Sequence, residues 1–103
     1  MKELDWFVKM LETEFSVQVD REQLSFEGNI LYLDEIDEAL VPNEMTNDLP
    51  QQLLFETMLF QELNGTEWLG AIAIDPASRE WLLQILLRNG EVVLRKRVEK
   101  ENQ

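Results

Sequence analysis

The first apolar pattern along the chain has a helical spacing. The residues that form one stripe are Leu4, Phe7, Val8, Leu11 and Phe15. Acidic residues near the start of this segment suit the positive end of a helix dipole. The pattern predicts an amphipathic helix over residues 2–15, and Trp6 and Met10 widen its apolar surface.

The next segment alternates apolar and polar residues around Gly28-Asn29, a dipeptide that suits a two-residue hairpin turn. In that register the apolar face carries the pairs Phe26–Leu31 and Leu24–Leu33. The other face is mixed and includes Ile30 and Tyr32. The segment therefore predicts a hairpin with one covered face and one more accessible face.

The longest apolar run lies between Asp48, which can cap a helix, and Asn64-Gly65, which can end one. Its apolar residues are Leu53, Leu54, Phe55, Met58, Leu59, Phe60 and Leu63. At about 100° per residue they cover most of the circumference of a helix. A helix that is apolar nearly all round must be buried on more than one side.

A second subunit would supply the missing cover for this predicted helix. We therefore predict a homodimer, although a heterodimer is also compatible with the pattern. The expected interface residues are Leu53, Leu54, Met58 and Leu59. The alternative is that all four side chains pack within one subunit.

The rest of the chain has the alternation of strands. A short apolar run before Pro42, residues 39–41, allows a doubtful strand. Three further strands are predicted over residues 68–74, 81–88 and 92–98. Asp75-Pro76 suits a type I turn and Asn89-Gly90 a type I′ turn. In that last hairpin Leu87 would face Val92, and Ile85 would face Leu94.

These elements predict one α+β domain over residues 1–103, with two helices on an antiparallel sheet. The expected order is α-β-β-(β)-α-β-β-β.

Composition narrows the chemistry that the chain can perform. It has neither cysteine nor histidine, which removes disulfides, thiolate zinc sites and the commonest general base. The acids Asp34, Glu35, Asp37 and Glu38 lack the glycine and terminal glutamate of an EF-hand loop. We expect no catalysis, no metal and no cofactor, and an enzyme that uses carboxylates alone is the least favoured class.

Charge narrows the range of partners. The chain carries 21 acidic and 9 basic residues, a net charge of −12. Such a field repels nucleic acid and anionic membranes and favours basic partners. The basic run Arg95-Lys96-Arg97 is too short to reverse that expectation. No apolar run approaches the roughly 20 residues that span a bilayer, and the acidic N-terminal residues do not fit a signal peptide.

One stretch carries a resemblance to a known family. The apolar run over residues 53–60 leads into Asn64-Gly65-Thr66, a small-residue strand ends at Asp75-Pro76, and a leucine-rich strand follows. This order resembles the class I type III secretion chaperones, the superfamily that includes the Tir chaperone. The likeness covers roughly residues 2–88. The family usually ends with a further amphipathic helix, where this chain has a strand pattern over residues 92–98.

The resemblance implies a homodimeric chaperone in the bacterial cytoplasm. Such proteins bind an extended segment of a secreted effector and keep it export-competent without a nucleotide. The segment adds strands and fills apolar patches. The candidate contact residues are Trp6, Phe7, Met10, Leu11, Ile30 and Tyr32.

Two alternatives stay open. Any one of these six side chains is ordinary core in the simpler interpretation, Phe7 and Leu11 above all. The alternative function is an acidic inhibitor or immunity-type protein that binds a folded basic partner.

Overall fold

A computed structural model describes residues 1–98, which form one α-helix followed by a single antiparallel sheet. The elements are α1 (Lys2–Glu14), β1 (Ser25–Tyr32), β2 (Gln52–Gln61), β3 (Glu67–Ile74), β4 (Trp81–Arg88) and β5 (Glu91–Arg97). The strands lie side by side in chain order, so β1 and β5 are the two edges. Within residues 1–98, no helix combines the length and apolar character needed to cross a membrane.

The N-terminal helix forms where its spacing predicts it and covers one face of the sheet. Phe7 and Leu11 are fully buried and pack against side chains of the central strands, among them Met58 and Ile72. Gly70 of β3 makes this contact close: a Cβ there would lie 2.5 Å from Cδ1 of Phe7. At the other end of the helix contact, Trp81 Nε1 donates to Glu3 Oε2.

The opposite face of the sheet is covered by residues 33–51, which we call the covering segment. It has two short 3-10 turns, Leu33–Glu35 and Asn43–Met45, and it buries Val41 and Leu49 against the sheet. The doubtful strand at residues 39–41 is wrong. These residues belong to a turn in which Leu40 N and Val41 N both donate to Asp37 O.

The predicted second helix is wrong, because residues 52–61 form the strand β2. Alternate side chains of β2 face α1 and the covering segment, and both sets are largely buried. A strand covered on both faces is apolar at nearly every position, as is a helix buried all round. The predicted fold, with two helices in the stated order, is therefore corrected to one helix and five strands.

The predicted first hairpin is also wrong. Gly28 and Asn29 continue β1 without a turn, and β1 pairs with β2 from Ser25↔Leu59 to Tyr32↔Gln52. Pairing with a distant strand has overridden a local turn signal. Gly28 has another role here, because the carboxylate of Glu56 lies over it.

The last hairpin has the predicted turn but a different register. Asn89 and Gly90 have φ values of 50° and 82°, as a type I′ turn requires. Leu87 pairs with Val92 as predicted, but an irregularity then shifts the strands, so that Ile85 pairs with Arg95. This shift brings Arg95 towards the covering segment, where its Nη1 donates to Ala39 O and Leu40 O, each at 3.2 Å.

Gly70→Ala should destabilise the protein, because the new methyl group meets the Phe7 ring. Overpacking of this kind costs about 1–3 kcal/mol. Urea unfolding of the single and double variants checks this. The cost of Gly70→Ala should fall clearly in a Phe7→Leu background, which makes room for the methyl group. An equal cost in both backgrounds would contradict the contact.

Arg95→Met should loosen the covering segment, because Ala39 O and Leu40 O lose their guanidinium donor. A loss of about 1 kcal/mol corresponds to roughly fivefold faster local opening. Hydrogen exchange at Leu40 N and Val41 N measures it, with α1 amides unchanged. Arg88→Met is the matched control, since the Arg88 guanidinium lies over the Trp68 ring instead. Equal exchange in the two variants would be evidence against the anchoring role.

Candidate functional site

Strand β1 is an edge strand with a row of exposed apolar side chains. Seven of its eight residues are exposed. Phe26, Ile30 and Tyr32 retain 51%, 59% and 54% of their accessible surface. Exposed apolar rows on sheet edges are unusual in proteins that act alone and mark places where other chains bind.

These three side chains share one face of the sheet. Phe26 pairs with Met58 and Ile30 with Leu54, and directly opposed residues point to the same face. Met58 is buried under α1, so the row lies on the helix side of the sheet. We call Phe26, Ile30 and Tyr32 the edge row.

The backbone of the same residues faces the free side of β1. Tyr32 N donates to Glu35 Oε1 at 2.8 Å, away from β2, whereas Leu33 N donates to Gln51 O on the β2 side. Residues of an antiparallel strand alternate between the two sides. The N–H and C=O groups of Phe26, Gly28 and Ile30 therefore face the free edge. Glu35 closes one end of that edge.

A cleft of about 340 Å³ lies on the other face of β1, between the sheet and the covering segment. It is lined by apolar side chains, including Leu31, Leu40 and Phe55, and by carboxylates. The carboxylates are those of Glu27, Glu35 and Asp37. A strand added to β1 would place alternate side chains on the edge row and beside this acidic cleft.

Glu56 lies beside the edge row on the helix side of the sheet. It pairs with Gly28 of β1 and with Ile72 of β3. Its Oε2 atom is buried and has no hydrogen-bond partner among residues 1–98. Both carboxylate oxygens lie 3.1 Å from the position that a Cβ at Gly28 would take. The row is therefore interrupted at Gly28 by a carboxylate that comes from the neighbouring strand.

The six residues predicted to contact a partner do not lie together in the structure. Ile30 and Tyr32 lie together in the exposed edge row. Phe7 and Leu11 are fully buried in the core under α1. Trp6 and Met10 are half-buried on α1.

Sequence reasoning missed Phe26 and Glu56. The assumed hairpin placed Phe26 on its covered face, and the assumed second helix gave Glu56 no neighbour on β1. The glycine at position 28 was the available signal, but it was interpreted as a turn.

The residues predicted for a dimer interface do not form one surface. Leu53 and Met58 are fully buried within the chain, Leu54 is half-buried and Leu59 is exposed. Leu53 packs on the covering-segment side and Met58 on the helix side. The dimer interface was predicted from the apolar pattern of this segment. Burial of both faces of β2 explains that pattern without a second subunit. The dimer itself stays a prediction.

The acidic run that follows β1 caps the local backbone. The Glu35 carboxylate accepts from Tyr32 N, and the Asp37 carboxylate accepts from Ala39 N. In the described part of the chain, no group of three or more acidic, histidine or cysteine residues is placed to hold a metal ion.

Comparison with protein-family models, with curated proteins and with solved structures finds no match for this chain.

The edge row should contribute little to folding, because its side chains stay half exposed. Ile30→Thr and Tyr32→Thr each place at the edge a residue that suits a strand, and each should change the free energy of unfolding by less than about 0.5 kcal/mol. Met58→Thr, on the neighbouring strand, removes a fully buried side chain and should cost about 2–5 kcal/mol. Urea unfolding of the three variants measures these changes in the free energy of unfolding. Similar costs for Ile30→Thr and Met58→Thr would show that the row belongs to the core.

Proposed function

We propose that this protein is a non-catalytic chaperone that holds an extended segment of a secreted effector. The segment would bind as an additional strand on the free edge of β1. The observation that carries the proposal is the coincidence of outward backbone groups at residues 26–30 with the exposed edge row. Addition of a strand to an open sheet edge is an established mode of peptide recognition.

The backbone and the side chains of this edge would contribute to binding in different ways. Backbone hydrogen bonds to Phe26, Gly28 and Ile30 do not depend on the sequence of the segment, and each contributes about 0.5–1.5 kcal/mol. Burial of the edge row adds about 25 cal/mol per Å² of apolar surface. Ordering a flexible segment opposes both. The balance favours reversible holding, which suits a segment that must later be released for export.

The charge of the chain supports binding to a basic segment. The net charge is −12, and three carboxylates line the cleft on the second face of β1. The same charge opposes self-association of an exposed strand edge. An open edge with an apolar row also favours an extended segment over the folded basic partner of an inhibitor.

The proposal includes the homodimer and the bacterial cytoplasm that the resemblance to secretion chaperones implies. It assigns the effector contact to β1 and assigns no surface to the dimer.

Ile30→Pro should block the edge, because proline removes the outward N–H of residue 30. The ladder to β2 uses the alternate residues, and proline is tolerated on edge strands with this orientation. The probe is a phage-displayed library of random twelve-residue peptides selected on the wild-type protein. We expect the recovered peptides to bind Ile30→Pro at least about tenfold more weakly.

Ile30→Ala is the matched control, since it removes the side chain and keeps the N–H. Its peptide affinity should lie between those of the wild type and Ile30→Pro. Circular dichroism and urea unfolding establish that each variant is folded. Peptides that bind Ile30→Pro as tightly as the wild type, or a library that yields no binder, would contradict strand addition at β1.

A further inference from the structure

The edge row has a gap at Gly28. Phe26, Gly28 and Ile30 follow one another on the helix side of β1, and only the middle residue lacks a side chain. The space above it is taken by the Glu56 carboxylate, whose two oxygens lie 3.1 Å from the position of a Cβ at residue 28. The Glu56 side chain therefore extends from β2 over the backbone of β1.

The Glu56 carboxylate is incompletely satisfied. Its Oε2 atom is buried, and no group among residues 1–98 donates a hydrogen bond to it. Buried carboxylate oxygens without a donor are costly, and native proteins contain few of them. Glu56 as a whole is only half-buried, so a rotation of its carboxylate would let a bound partner supply the missing donor.

We propose that Glu56 binds a lysine or arginine of the added segment, an inference that rests on the proposed strand addition at β1. The residue of the segment that lies beside Gly28 on the helix side would have its Cβ about 4.5–5.5 Å from the Gly28 position. No side chain of β1 stands between that residue and the carboxylate. A lysine or arginine stem can lie across the glycine and present its N–H groups to Glu56.

The same geometry gives the segment a sequence pattern. Residues two before and two after the basic residue point to the same face. They would lie beside Phe26 and Ile30, which favour apolar partners. The segment is therefore apolar-x-basic-x-apolar, with the basic residue at the centre.

A second copy of this chain is a poor occupant of the same edge. If two β1 strands paired antiparallel about Gly28, the residue opposite Gly28 would be the Gly28 of the second copy. The second copy would therefore present no basic side chain to Glu56. The net charge of −12 acts in the same direction.

The test starts from library peptides whose binding is lost in Ile30→Pro. We expect arginine or lysine at one aligned position, with apolar residues two before and two after it. A synthetic peptide of this sequence is then compared with one that has citrulline, a neutral isostere of arginine, at that position. Wild-type protein should bind the arginine peptide at least about tenfold more tightly.

Glu56→Gln should remove most of that preference without unfolding the protein, since no group among residues 1–98 donates to the Oε2 atom that it changes. Glu91→Gln is the matched control: it makes the same charge change at an exposed residue of β5, the opposite edge of the sheet. Its preference for arginine over citrulline should stay close to that of the wild type.

The outcomes separate the two proposals. We call a library peptide edge-dependent if its binding is lost in Ile30→Pro. Edge-dependent peptides without a basic residue at the aligned position would overturn the role of Glu56 and leave strand addition intact. Equal effects of Glu56→Gln and Glu91→Gln would also overturn the role of Glu56, because the preference for arginine would then come from general charge attraction. The absence of any edge-dependent peptide would overturn strand addition, and the role of Glu56 with it.

Discussion

Burial of both faces of the central strands is the constraint on which the rest of the structure depends. β2, β3 and β4 place apolar side chains on both sides of the sheet. In the described part of the chain, α1 and the covering segment bury those two sides. Neither α1 nor the covering segment extends over all of β1. This strand therefore pairs with β2 through its backbone, while most of its side chains remain exposed. The candidate binding edge follows from this limited cover.

Different interactions hold α1 and the covering segment against the sheet. α1 is held by close packing of Phe7 onto Gly70, a contact that depends on the absence of a side chain at residue 70. The covering segment is held partly by arginines of β5, which donate to its carbonyl oxygens at residues 39, 40 and 47. Neither set of contacts involves the edge row. The edge row can therefore be substituted without disturbing the core.

Local signals identified the elements whose formation depends on nearby residues. The spacing of apolar residues located α1, and alternation with good turn residues located β3, β4 and β5. The pattern of β2 was ambiguous, because a strand buried on two faces and a helix buried all round have similar apolar content. Gly28-Asn29 was interpreted as a turn, since nothing local shows that residue 28 pairs with a glutamate 28 positions later. The exposure of Ile30 and Tyr32 was predicted from their alternation, whereas the contact of Glu56 with Gly28 depends wholly on long-range register.

The central claim is that the free edge of β1 accepts an additional strand. Amide hydrogen exchange at residues 25–32, with and without a saturating library-selected peptide, tests it residue by residue. The account predicts rapid exchange at Phe26, Gly28 and Ile30 in the free protein and strong protection once the peptide is bound. Glu27 and Asn29, which face β2, should be protected in both states. Exchange at Phe26, Gly28 and Ile30 that stays rapid in the complex would contradict the account.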